Sequence, residues 1–88
     1  MSFAEYNNFI YLNSTLTSEE ARDVAVDCWN MGLTKEEALE IAEEREETLT
    51  HRDVETARFI IKHSTNPIHI KKAQNTIKTY KKQQNKAK

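Results

Sequence analysis

One glycine, Gly32, and one proline, Pro67, serve a chain of 88 residues. Hairpins and sandwiches call repeatedly for positive φ angles or rigid turns, which these two residue types supply. This argues against a turn-rich sheet architecture, and helices joined by short polar loops are the expected solution. The length suffices for one domain with a single modest core. Hydrophobic residues at 38% and charged residues at 31% are compatible with a folded protein rather than a disordered one.

With so few backbone breakers, helix starts must be marked by side-chain caps. Thr17 with Glu20, Thr34 with Glu37 and Thr50 with Asp53 each place a hydroxyl three residues before a carboxylate, the spacing of a capping box; Ser2 with Glu5 offers a fourth. Gly32 tolerates the left-handed conformation that closes a helix. Asn66 before Pro67 ends one helix and begins another, because proline lacks only an amide that the first turn leaves unpaired anyway. These signals predict helices over residues 2–12, 18–31, 35–48, 51–64 and 67–84.

The expected fold is all-alpha, a compact small bundle of four or five short helices forming a single domain over residues 1–88. The first helix and the basic C-terminal one are the elements expected to move relative to the central three. Apolar periodicity places Ala21, Val24, Ala25 and Cys28 on one face of the second helix, and Ala38, Ile41, Ala42 and Arg45 on one face of the third. Val54, Ala57 and Ile61 recur on the fourth. Trp29, Ile41, Val54, Phe59 and Ile61 are the preferred large core residues.

Cys28 is the sole cysteine, so an internal disulfide and a multi-cysteine zinc cluster are both excluded. Its neighbours Val24, Ala25 and Trp29 point to a small buried apolar group in a reducing, cytoplasmic setting. No apolar run approaches the roughly 20 residues of a membrane-crossing helix, and the first residues lack the order of a secretory signal. His51, His63 and His69 fall in no compact metal-binding spacing, and no glycine-rich phosphate cradle is present. Neither catalysis nor a cofactor is expected.

The net charge of −1 conceals a division. Residues 19–55 hold thirteen acidic side chains against four basic ones, a balance of −9, whereas residues 58–88 hold nine basic side chains and no acidic one. Such a division supports attraction between the two halves, head-to-tail association, or separate binding surfaces of opposite sign. A basic tail can also be no more than a solvated face of an amphipathic helix.

Residues 25–41 can be laid over a helix-turn-helix. Its second helix would bring Glu36, Glu37, Glu40, Glu43, Glu44 and Glu47 to DNA, opposed chiefly by Lys35 and Arg45, so a packed helical corner is the expectation instead. Met31-Gly32-Leu33, followed by Glu36 to Leu39 and then by Asp53 to Ala57, resembles the ubiquitin-associated family of three-helix modules. The resemblance spans residues 18–64 and implies contact through Met31, Gly32 and Leu33. The interval between Ala38 and Ala57 is several residues longer than in that family, and no ubiquitin function is carried over.

Two binding readings follow. In the first, the chain is a noncatalytic regulator or adaptor that binds another protein by laying Ile70, Ala73, Ile77 and Tyr80 of the last helix into a groove; the same stripe would serve a homodimer or the protein's own core. In the second, it is a nucleic-acid-associated regulator whose Lys71, Lys72, Lys78, Lys81 and Lys82 contact phosphates. That segment has no Arg for bidentate base recognition, so backbone contact is expected rather than sequence readout.

Overall fold

A computed structural model describes residues 1–86, and among them there are five α-helices and no strand. The helices are α1 (Phe3–Asn13), α2 (Ser18–Asn30), α3 (Lys35–Glu44), α4 (His51–His63) and α5 (Pro67–Lys86). The all-alpha expectation holds. The chain divides into two compact units, Met1–Glu46 with α1 to α3, and Glu47–Lys88 with α4 and α5.

Capping chemistry places the helix starts where the sequence puts them. The Thr17, Thr34 and Thr50 hydroxyls accept from the amides of Glu20, Glu37 and Asp53 at 3.2, 3.2 and 3.4 Å. Each carboxylate in turn accepts from the amide of its threonine, at 3.3, 3.0 and 2.8 Å. Hydrogen bonds from Thr34, its amide first and its hydroxyl second, hold the Glu37 carboxyl below the usual carboxylate range. At α1 the Ser2 hydroxyl accepts from the Glu5 amide at 3.2 Å. Asn66 Oδ1 accepts from the Ile68 amide at 2.9 Å and starts α5 around Pro67.

In the first unit all three helices pack on one another around Tyr6, Ile10, Leu16, Ala21, Val24, Ala25, Cys28, Ala38 and Ala42. Four of these nine are alanine, whose small side chains let helix backbones approach closely. The larger ones supply the driving force, at about 1.5–3 kcal/mol for a fully buried aliphatic or aromatic side chain. Two buried hydroxyls are satisfied: Tyr6 donates to the Leu33 carbonyl at 3.1 Å, and Ser14 donates to the Ile10 carbonyl at 2.7 Å. Unpaired, each would oppose folding.

The α2–α3 corner is a complete Schellman motif. Leu33 N–H donates to the Cys28 carbonyl at 3.0 Å and Gly32 N–H to the Trp29 carbonyl at 3.1 Å, with Gly32 at φ +74°. Leu33 then packs against the core.

Helix α3 ends at Glu44, four residues before the expected end at position 48. Two effects oppose continuation. Glu43, Glu44, Glu46 and Glu47 crowd negative charge onto the negative pole of the helix, and the Glu46 carboxylate instead accepts from the Thr15 amide and hydroxyl at 2.7 and 2.8 Å. Arg45, expected on the packing face, is the exposed C-cap.

The second unit is a helical hairpin. Val54 and Ala57 of α4 and Ala73 of α5 are buried, and Ile60, Ile61, Ile70, Ile77 and Tyr80 are half-buried. Gln83 joins its open end, accepting from the Leu49 amide at 2.8 Å and donating to the Glu47 carbonyl at 3.1 Å. Helix α5 runs to Lys86, beyond the expected end at position 84; the fraying expected of the last residues falls partly on 87–88, outside the described residues.

Two of the preferred core aromatics are not core. Phe59 is 64% exposed and Trp29 40% exposed, whereas Val54 is buried and Ile41 and Ile61 are half-buried. Phe59 stands about 140° and 160° around the helix from Val54 and Ala57, which turns it away from α5. Trp29 flanks the α2 stripe and lays its ring edge-on against Phe3 and Tyr6, with centroids 5.7 and 5.1 Å apart.

A Cβ at Gly32 would meet nothing within 4 Å, so substitution there acts through the backbone angle alone. Gly32→Ala is expected to lower unfolding free energy by about 1–2 kcal/mol, and Gly32→Asn by less, in urea denaturation. An unchanged midpoint for the alanine variant would contradict this account of the corner.

Candidate functional site

The sequence-derived protein-binding stripe and the lysine face are both on α5, and the structure treats them differently. Ala73 is 3% exposed, and Ile70, Ile77 and Tyr80 are half-buried on the same side of the helix. That side is the packing side of the hairpin, shared with Val54 and Ala57.

Lys71, Lys78, Lys81 and Lys82 are exposed. At 100° per residue they fall within an arc of about 100°, centred roughly 140° from Ala73, and span about 16 Å along the axis. Among the described residues Lys71, Lys78 and Lys81 have no salt-bridge partner. Lys72 is half-buried and lies outside the arc. The structure thus brings four of the five sequence-predicted lysines together and sets the fifth apart.

The outward face of α4 was not anticipated as part of a site. Phe59 stands at its centre, with Arg52 at i−7, Lys62 at i+3 and His63 at i+4, all exposed. The Phe59 and His63 rings lie 4.4 Å apart at 40°. Glu55, at i−4, is the acidic member of this face and lies 3.3 Å from His51 Nε2. Helical phase could have found this arrangement, since Phe59 falls outside the repeat of Val54, Ala57 and Ile61.

The charge division coincides with the structural one. Met1–Glu46 carries eleven acidic and three basic residues, a balance of −8, and Glu47–Lys88 carries three acidic and ten basic residues, a balance of +7. The first unit also exposes apolar side chains: Trp29 and Val26 at 40% and Met31 at 64%.

The stretch that resembles a ubiquitin-associated module is split by this organisation. In the first unit α1 completes the three-helix packing with α2 and α3, while α4, which that resemblance would make the third helix, pairs with α5. Met31 and Gly32 are exposed and Leu33 is partly buried in the corner.

No group of three or more His, Cys, Asp and Glu among the described residues is arranged to hold a metal ion. No described helix is long and apolar enough to cross a membrane. Cys28 is buried, and desolvation pushes its thiol up, with Asp27 adding to the shift and Arg45 opposing it. Both burial and the higher pKa deplete the reactive thiolate. Cys28 is therefore expected to react with an aromatic disulfide reagent only as fast as the unit opens, and rapidly once denatured; fast labelling of the folded protein at pH 8 would contradict this placement.

No known protein family matches the chain, and neither a curated protein nor a solved structure similar to it was found.

Proposed function

We propose that the protein is a noncatalytic regulator that contacts nucleic-acid phosphates through the exposed lysine face of its C-terminal hairpin. The observation that carries this reading is the separation of roles on α5. Its apolar side is engaged in the hairpin, whereas Lys71, Lys78, Lys81 and Lys82 share an exposed face in a unit with a balance of +7. A protein groove reading Ile70, Ala73, Ile77 and Tyr80 would have to displace α4 first. Polyanion contact needs no rearrangement, and the phosphate backbone is the dense, regular array of negative charge that such a face attracts. The acidic first unit disfavours attachment elsewhere on the chain and so orients the contact.

A protein partner is the second reading. It is favoured by the exposed Trp29, Val26 and Met31 of the first unit, since exposed large apolar groups are characteristic anchors of protein contacts.

Fluorescence anisotropy with labelled DNA and RNA over a salt series separates the two. Four phosphate contacts give a logarithmic salt slope of about −2.8 on a single strand and about −3.6 on a duplex, a loss on the order of fiftyfold and 150-fold respectively between 50 and 200 mM salt. Changing Lys71, Lys78, Lys81 and Lys82 together to Gln is expected to remove most of the affinity and flatten the slope, with little change in sequence preference. No binding to either polymer at low salt, with the helical spectrum intact, would discard the nucleic-acid reading and leave the protein partner.

A further inference from the structure

From the outward face of α4, and resting on the phosphate-contact reading above, we propose that the hairpin binds single-stranded nucleic acid in preference to duplex, by stacking an unpaired base on Phe59.

Phe59 is the large aromatic that the hairpin's own packing leaves out. It is 64% exposed, directed away from Val54 and Ala57, and in contact with the His63 ring, with centroids 4.4 Å apart and planes tilted by 40°. That contact restricts the ring while most of its surface stays exposed, which lowers the ordering cost of stacking a ligand against it. The surrounding charge matches a strand of phosphates: Arg52 and Lys62 flank the ring, and the four lysines of α5 belong to the same positive unit. Glu55 opposes this from within the face, but it stands beside His51 at 3.3 Å.

Phe59 faces away from α5 and the lysine arc faces away from α4, so Arg52 and Lys62 are the cations beside the stacked base, and a strand that also reaches the lysine arc passes around the edge of the hairpin. A duplex keeps its bases stacked on one another and offers an aromatic ring only sugar and phosphate. A single strand offers base faces, and proteins that bind it without sequence preference combine a positive track with aromatic platforms. The absence of Arg from α5 fits this sequence-tolerant mode, since bidentate base-edge recognition is the strength of Arg.

The test compares a 20-nucleotide oligo(dT) with a mixed-sequence 20-base-pair duplex, using the full chain and its Phe59→Ala and Phe59→Trp variants. Oligo(dT) is expected to bind more tightly than the duplex. Phe59→Ala should weaken oligo(dT) by about tenfold and leave the duplex unchanged, while Phe59→Trp restores single-strand affinity. Because the ring is exposed, each variant should keep the parent helical spectrum and melting curve. Equal affinity for the two polymers, or an alanine variant that binds oligo(dT) like the parent, would overturn the stacking proposal while leaving the lysine face intact. Absence of binding to both would remove the phosphate-contact reading and this inference with it.

Discussion

The reciprocal pair of hydrogen bonds in which a threonine hydroxyl accepts from the amide three residues on, and the carboxylate there accepts from the threonine amide, is the interaction on which this structure depends. Each helix begins with amides that no carbonyl within it can satisfy, and a chain with one glycine and one proline has few other ways to fix where a helix starts. Thr17 with Glu20, Thr34 with Glu37 and Thr50 with Asp53 solve this three times by the same means. With the starts fixed, the loops are short, and the small residues of α2 and α3 meet. Gly32 then has one task, the left-handed residue of the corner between those helices.

Charge follows from these assignments. Several carboxylates have structural work: Glu20, Glu37 and Asp53 close caps, and Glu46 holds Thr15. The lysine arc of α5 is separate from the packing of its own helix, since Ala73, Ile70, Ile77 and Tyr80 occupy the opposite side. The grouping of those lysines is what motivates a functional reading, and the exposed Phe59 motivates its refinement.

Local chemistry was legible and tertiary choices were not. The caps, the Gly32 corner and the Asn66-Pro67 break are short-range patterns, and each stands where the sequence places it. The early end of α3 depends on Glu46 reaching Thr15, 31 residues away, a partner that no local window contains. Trp29 and Phe59 were expected inside because of their size, but phase decides orientation. Phe59 falls between turns of the Val54, Ala57, Ile61 repeat, and Trp29 flanks the face defined by Ala21, Val24 and Cys28. The stripe on α5 was legible as apolar, yet its packing against α4 is a property of the fold. Likewise the lysine run was visible, whereas the displacement of Lys72 from the other four follows from helical phase. The similarity to a ubiquitin-associated module concerned one corner, and it did not extend to the pairing of α4 with α5.

The central claim is that the cationic hairpin, and not the acidic three-helix unit, is the contact surface. Amide chemical-shift mapping on titration with a short single-stranded oligonucleotide tests it most directly. The account predicts shifts concentrated at Arg52, Phe59, Lys62 and His63 of α4 and at Lys71, Lys78, Lys81 and Lys82 of α5, with α2 and α3 unmoved. Shifts centred instead on Val26, Trp29 and Met31, or spread evenly over both units, would contradict it.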